Sequence, residues 1–275
     1  SGTSGSGEWK TDADGSYKWR FGDDGVFTIR PADGAEEGTL DDSYIPWLFK
    51  DKSGITEIKI EGTIHAGKSA QQLFDGFNNV ESMDLRGLDT SKVTSMYNMF
   101  ADCNNLKSLD LSGFDTSHVT DMQNMFWHCS SLTSLNLKGK GIDTSQVTTM
   151  YAMFQGCSSL TSLDLSDFET PNITDTHNMF YECSHLKSLD VSKFDTSHAY
   201  IGGMLSGCTS LSKIVLGEKP FLKGAYGSVA DLPDPRNIWA IPCSFPHLRW
   251  NAIRSVRSGI TAMTFSGCTS GRRCR

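Results

Sequence analysis

The amino-acid sequence predicts an α/β solenoid, in which the chain winds into similar coils that stack on one another. One phrase, FDTSHVTDMQNMFWHCSSLTSLNL at 114–137, recurs in closely similar form five times in succession. Each copy joins a short alternation of apolar and polar residues to an apolar stripe of helical spacing. The five copies place cysteines 25 to 28 residues apart, at Cys103, Cys129, Cys157, Cys183 and Cys208. Such a period is typical of stacked repeat arrays.

Each copy predicts a short β-strand with one buried face. In SLDL at 108–111, Leu109 and Leu111 point to one side of the strand, and Ser108 and Asp110 point to the other. The strands are too far apart in sequence for hairpins, so we expect a parallel sheet on the concave side. The same pattern predicts seven strands, at 57–60, 82–85, 108–111, 134–137, 162–165, 188–191 and 213–216.

The segment before each strand predicts a short helix on the convex side. Met122, Met125, Phe126 and Cys129 fall at positions i, i+3, i+4 and i+7, which form one stripe of a helical surface. Threonine has a side-chain oxygen that can cap the first turn of a helix. The predicted caps are Thr94, Thr120, Thr148 and Thr174.

The repeated phrase resembles the BspA-like leucine-rich repeats of bacterial surface proteins, in the variant F-D-T-S-x-V-T-x-M-x-x-M-F-x-x-C-x-S-L-x-x-L-D-L-S. The resemblance covers residues 58–216, although the last copy departs from it at HAYIGGMLSGC. The segments at 17–31 and 45–49 are similar to the family's N-terminal cap, a β-hairpin followed by a Pro-Trp turn. The resemblance implies a non-enzymatic adhesion or recognition module that binds other proteins, secreted or held at the bacterial surface.

Charged residues are distributed unequally along the chain. All 32 acidic residues precede Arg236, whereas residues 236–275 contain seven Arg and no Lys, Asp or Glu. We expect this Arg-rich tail to be disordered or translated out of frame; the alternative is a basic tail that binds nucleic acid. The predicted division is a linker and cap at 1–53, the solenoid at 54–217, an extension at 218–235 and the tail.

No apolar run approaches the length of a membrane span. The opening SGTSGSGE does not have the pattern of a signal peptide, and the sequence shows no lipid-anchor or wall-sorting motif. The resemblance implies an extracellular or surface-located protein, expected to be a monomer, whose anchor is not identified. Its partner is expected to be a protein on a host or neighbouring cell, and no nucleic acid partner is expected.

One stretch matches a nucleotide-binding motif. GTIHAGKS at Gly62–Ser69 fits G-x-x-x-x-G-K-[ST], so an enzyme that uses Gly67, Lys68 and Ser69 on phosphate is the alternative function. Against it, the preceding ITEIKIEG alternates instead of forming the continuous apolar run of a strand buried on both faces. The loop is better interpreted as a degenerate first coil, and no catalytic residue or cofactor is expected.

The cysteine column raises the questions of disulfides and of metal binding. Equivalent positions on stacked helices would lie about 10 Å apart, beyond the reach of a disulfide. Buried free thiols are therefore predicted. No metal is expected, because the nearby histidines keep no common position in the repeat. These are His118, His128, His177, His185 and His198.

Two acidic columns remain. The column after each strand is expected to bond backbone N–H groups in the turn; its members are Asp89, Asp115, Asp143, Glu169 and Asp195. The other column is the candidate partner-binding strip, on the outward face of the strands. About 4.8 Å separates parallel strands, so these carboxylates repel one another unless cations or a basic protein bind them. The strip is Asp84, Asp110, Asn136, Asp164 and Asp190.

Overall fold

The computed structural model describes residues 7–42 and 45–216 and, beyond them, the backbone of one strand at 239–242. These described residues form a β-solenoid that contains strands and turns but no helix. The strands are β1 (Lys10–Thr11), β2 (Tyr17–Phe21), β3 (Val26–Pro31), β4 (Glu37–Thr39), β5 (Glu57–Ile60), β6 (Thr63–His65), β7 (Ser82–Asp84), β8 (Leu88–Asp89), β9 (Ser108–Asp110), β10 (Ser134–Asn136), β11 (Ser162–Asp164), β12 (Ser188–Val191), β13 (Lys213–Leu216) and β14 (Trp239–Pro242).

The predicted parallel sheet forms one side of the coils. All seven predicted strands are present, as β5, β7, β9, β10, β11, β12 and β13. They pair in parallel at the repeat spacing, as in Leu109 with Leu135 and Leu163 with Leu189. Leu109 and Leu163 are buried while the alternating Ser and Asp residues face outward, as predicted. The strand pairing is interrupted twice, between β7 and β9 and between β10 and β11, and the longest coil lies at the second break.

The first coil is covered by a cap. β2 and β3 form the predicted antiparallel hairpin, and β3 also pairs in parallel with β5, so the hairpin continues the main sheet. Trp47 is buried, and its Nε1–H donates to the carbonyl oxygen of Leu73 at 2.7 Å. A second, three-stranded parallel sheet of β4, β6 and β8 forms another side of the first coils.

The prediction of convex helices is wrong. The third side of each coil is a run of consecutive β-turns, here called the turn limb, which spans residues 95–103 in the coil of β9. Met99 N–H donates to Met96 O at 3.1 Å, which closes one turn, and Asn98 between them has a φ of 54°. Asp102 is also left-handed, with a φ of 57°. An α-helix of L-residues cannot hold left-handed residues four apart, so the chain turns on itself repeatedly instead.

The turn limbs are joined by hydrogen bonds between coils. In the coil of β9, the N–H groups of Met96, Asn98 and Phe100 donate to the carbonyls of Asp121, Gln123 and Met125 in the next coil. These N···O distances are 2.9, 3.0 and 2.9 Å. A helix would have used the same N–H groups internally. The limbs therefore stack like strands.

The predicted threonine caps are also wrong. Thr120 Oγ1 donates to the carbonyl of Thr94 at 3.2 Å, and Thr148 Oγ1 donates to that of Thr120 at 3.0 Å. Because there is no helix start to cap, these hydroxyls instead donate hydrogen bonds to backbone carbonyls of the preceding coil. Thr94 and Thr174 make the same bond in their own coils.

The core contains a ladder of phenylalanines from five successive coils. Neighbouring rings lie 5.4 to 5.7 Å apart and within 20° of parallel. The stacked rings are Phe74, Phe100, Phe126, Phe154 and Phe180, and none is exposed. Because the turn limbs stack at this short distance, the spacing of about 10 Å predicted from helix diameter is wrong.

The prediction of buried free thiols is confirmed for the five repeat cysteines, which are unpaired and buried. Each Sγ–H donates to the carbonyl of the phenylalanine in the preceding coil, as Cys129 does to Phe100 at 3.1 Å. Burial raises the pKa of Cys129 well above that of an ordinary thiol. The five thiols are thus held protonated and hydrogen-bonded to the stacked backbone.

Candidate functional site

The candidate partner-binding strip lies on the outward face of the main sheet. Asp110 is in register with Asn136, and Asp164 with Asp190, so their side chains project in one column. Asp84 continues the column on β7. Beside it runs a second outward column of small polar residues, including Ser108, Ser134 and Ser162. The result is a flat polar surface that holds no large apolar side chain on β9, β10 or β11.

Each strip residue is fixed by its own backbone. Asp110 Oδ1 accepts a hydrogen bond from Ser112 N–H at 3.0 Å, and Asp164 does so from Ser166 N–H at 3.0 Å. Asn136 and Asp190 accept equivalent bonds at the same distance. The sequence prediction overlooked this role, although the D-x-S that recurs at Asp110, Asp164 and Asp190 is the signal of such a turn.

The repulsion expected along the strip is partly compensated. Hydrogen bonds from the side chain and backbone of Arg86 lower the pKa of Asp84 to about 2. The Asn136 amide donates to Asp110 at 2.9 Å, and Lys138 Nζ lies 3.2 Å from Asp164. The Ser112 backbone and hydroxyl, with Asn136, lower the pKa of Asp110. Asp84, Asp110 and Asp164, whose pKa values are all lowered, are therefore ionised at neutral pH, and each has a partner that offsets part of the repulsion.

The corner column behaves as predicted at its four aspartates, whereas Glu169 forms an ion pair with Lys193 at 3.3 Å. Asp89, Asp115 and Asp143 each accept a hydrogen bond from the backbone N–H two residues on, at 2.8 to 2.9 Å, as does Asp195 at 3.0 Å. Sequence reasoning missed the threonine that follows each of these positions. Thr116 is 3% exposed, and its Oγ1 donates to Asp143 O at 2.6 Å and accepts from Asp143 N–H at 2.8 Å. These corners are structural joints between coils.

The nucleotide-motif stretch is folded in a way that opposes phosphate binding. It contains strand β6, and the residues after it form a turn limb instead of a helix. The N–H groups of Lys68 and Ser69 donate to the Asp42 carboxylate. A phosphate would have to displace this carboxylate and bear its repulsion. The interpretation as a degenerate first coil agrees with this arrangement.

The same stretch places His65 between two carboxylates. His65 Nδ1 lies 2.6 Å from Asp89 Oδ2, and Nε2 lies 3.0 Å from Glu37 Oε2. The side chain of His65 is 27% exposed. The hydrogen bonds to Glu37 and Asp89 raise the pKa of His65 above 6.5. Protonated His65 thus joins β4 of the cap to β8 of the next coil.

This arrangement predicts a pH dependence of stability. Because the folded pKa of His65 is the higher one, its contribution is fully present below about pH 6.5 and is lost as the pH rises through the folded pKa. We expect the free energy of unfolding of H65Q, measured by denaturant titration, to lose this dependence. H118Q, at an exposed slot, is the control and should follow the parent protein. Identical pH profiles for H65Q and the parent would contradict the assignment.

Two further expectations concern metal binding and the C-terminal segments. Within the described ranges, no group of three or more His, Cys, Asp or Glu side chains is placed to hold a metal ion, and no helix is long and apolar enough to cross a membrane. The extension at 218–235 and most of the Arg-rich tail lie outside the described residues. The exception is β14, which pairs in parallel with β13 where no strand was predicted.

The stacked parallel coils define the class of this protein as a repeat solenoid. The family described as "Mycoplasma protein of unknown function, DUF285" matches residues 64–139 and again 133–216, more than half of the chain. The chain belongs to this family. No curated protein matches the sequence.

Solved structures similar to the chain include bacterial leucine-rich-repeat proteins, the class that the repeat predicts. The leucine-rich-repeat protein of T. pallidum is 16% identical, with 82% of this chain and 88% of that chain covered and a TM-score of 0.41. One from Bacteroides ovatus is 16% identical, with 86% and 76% covered and a TM-score of 0.31. The Toll–Spatzle complex of Drosophila contains a chain that is 12% identical, with 84% and 38% covered and a TM-score of 0.34.

Proposed function

We propose that this solenoid is a non-enzymatic recognition module that binds another protein through the acidic strip. The observation that carries the proposal is the geometry of the strip: acidic side chains aligned on the outward face of the sheet, each held by a backbone hydrogen bond. Carboxylates fixed in this way lose little side-chain entropy when a partner binds. A protein segment rich in Lys or Arg would relieve their remaining repulsion.

An adhesion role at a bacterial cell surface is the setting we propose for this binding. Its support is the resemblance of the repeated phrase to surface proteins with BspA-like repeats. A solenoid suits the role because its repeated side chains form one long open surface. The alternative enzyme has less support, because the Asp42 carboxylate holds the amides that would have to bind phosphate.

The double substitution D110N/D164N tests the strip. We expect it to weaken binding of a Lys-rich peptide by about 3- to 10-fold and to reduce the salt dependence of that binding, measured by calorimetry at two salt concentrations. The fold should persist, because an Asn oxygen can accept the same backbone hydrogen bond.

The matched control is D121N/D175N. These two carboxylates lie on the turn limbs and accept the same kind of backbone bond, from Gln123 and His177 at 2.9 Å. The control removes the same charge from another side of the coil and should leave more of the binding intact. Equal losses in the two double variants would assign the effect to net charge, and unchanged binding in D110N/D164N would exclude the strip.

A further inference from the structure

The outward face of the main sheet changes charge near the cap. The register of neighbouring strands places one row of residues across this face: Arg20 on β2, Thr28 on β3, Lys59 on β5 and Asp84 on β7. Asp84 is the first member of the acidic strip. The same row is therefore cationic at the cap end of the sheet and acidic from β7 onward.

A tryptophan and two arginines stack on the cap end of this face. The guanidinium carbon of Arg20 lies 4.9 Å from the centre of the Trp9 ring, and that of Arg30 lies 4.3 Å from the same ring. Lys18 is opposite Arg30 on the adjacent strand. We call these four residues the cap site. Three positive charges thus meet beside one aromatic ring.

The cap site carries more positive charge than the described residues neutralise. Asp33 pairs with Lys18, and its Oδ1 also lies 2.9 Å from an Nη atom of Arg30. Arg20 stacks on Trp9 but forms no ion pair with any residue that the structure describes. The Nε atoms of both arginines are buried and make no hydrogen bond within the described part of the chain. Partly desolvated cations without an anion are costly, so the site favours an anionic ligand.

The acidic strip restricts which anion fits. Arginine binds carboxylates and phosphates equally through two parallel hydrogen bonds, so the cap site alone does not distinguish an acidic protein segment from a nucleic acid. Asp84 lies three strand spacings from Arg20, which is about 14 Å, and further carboxylates follow it. A polyanion that extends along the row would be repelled by them. A protein segment can change from acidic to basic residues within this distance, which about four extended residues span.

We propose that the cap site binds carboxylate side chains of a partner protein, and that this partner carries acidic residues over the cap site and basic residues over the strip. Trp and Arg are among the residue types that most often dominate the binding energy of protein interfaces. The strip has no such side chain on β9, β10 or β11, so the cap site supplies what the strip lacks. The requirement for basic residues rests on the proposed function of the strip, whereas the requirement for acidic residues does not.

Calorimetry with three synthetic peptides tests this order of charges. The segregated peptide has four Glu, five Gly or Ser residues and four Lys. The mixed peptide has the same composition with Glu and Lys alternating, and the Lys-only peptide has Ser in place of Glu. We expect the segregated peptide to bind at least about threefold more tightly than either of the others, because it alone reaches both charged regions at once. Equal binding of the segregated and mixed peptides would overturn the proposal.

The substitution R20Q locates the acidic contact. It should weaken binding of the segregated peptide by about 3- to 10-fold and leave binding of the Lys-only peptide unchanged, which also reports that the variant folds. The control K140Q removes the same charge from an exposed position after β10, and neither affinity should change. If R20Q binds the segregated peptide as tightly as the parent protein does, the cap site does not bind carboxylates.

The remaining outcomes distinguish the cap site from the strip and from other ligands. If D110N/D164N leaves the Lys-only peptide unaffected while R20Q still weakens the segregated peptide, the proposed function of the strip fails and the acidic contact at the cap site stands. A single-stranded DNA oligonucleotide that binds more tightly than the segregated peptide, and that R20Q releases, would assign the cap site to a polyanion and overturn the proposal. Self-association that R20Q abolishes would assign the site to a second copy and would also overturn it.

Discussion

F126A is expected to lower the free energy of unfolding by about 3–5 kcal/mol, measured by denaturant titration. Phe126 is fully buried, and its ring stacks 5.5 Å from Phe100 and 5.4 Å from Phe154. Truncation therefore removes contacts on both sides and leaves a cavity in the middle of the ladder. Because each coil is stabilised by its neighbours, the loss should spread over several coils.

The control for this substitution is Q155A. Gln155 lies on the turn limb of the next coil, and its side chain is only half-buried. Its loss should be within about 0.5 kcal/mol, as at ordinary surface positions. A cost below about 1 kcal/mol for F126A would mean that the phenylalanine ladder is not what holds the coils together.

The strands could be predicted from sequence because alternating apolar and polar residues indicate a β-strand with one buried face. Leu109 and Leu111 face the core while Ser108 and Asp110 face solvent, and the repeat spacing excludes hairpins. The corner carboxylates were predictable for a similar reason, since Asp before Thr-Ser bonds its own turn. Both features depend on residues close together in the chain.

The turn limbs could not be predicted from the apolar stripe alone. Met, Met, Phe and Cys at helical spacing are buried equally well when the chain makes consecutive turns, so burial does not distinguish the two conformations. A partial signal that distinguishes them lies at the positions between, although Gln72, His128, Ala152 and Glu182 are also left-handed. Asn98 and Asp102, like Gly203 and Gly207, are left-handed and four residues apart. Asn, Asp and Gly tolerate that conformation best, and a helix has no use for it.

The strip shows a different limit of sequence reasoning. Its position on the outward face followed from alternation, but its charge balance depends on residues from neighbouring coils. Lys138, two residues beyond β10, reaches Asp164 in the next coil, and the Asn136 amide donates to Asp110 on the neighbouring strand β9. Such partners are set by how the coils stack. A repulsion estimated only from the aligned acidic residues in the sequence is therefore larger than the repulsion in the folded protein.

T116V is expected to lower the free energy of unfolding by about 2–3 kcal/mol, although Val has nearly the shape of Thr. The Thr116 hydroxyl serves both the N–H and the carbonyl of Asp143, at 2.8 and 2.6 Å. Removing it leaves two backbone groups of the next coil without this partner in a buried corner. The loss should exceed that of a surface hydrogen bond, because the cost is the desolvation of the groups left behind.

The control for the corner is T133V, measured by the same denaturant titration. Thr133 is exposed, and its Oγ1 donates to Lys107 O at 3.0 Å, a carbonyl that also accepts from Thr133 N–H at 2.9 Å. That carbonyl keeps a partner and access to water after the substitution, so the expected change is below about 0.5 kcal/mol. Equal effects of T116V and T133V would mean that the buried corner threonines do not join the coils. A large effect of T116V alone would explain why the DTS phrase keeps its threonine at every turn of this array.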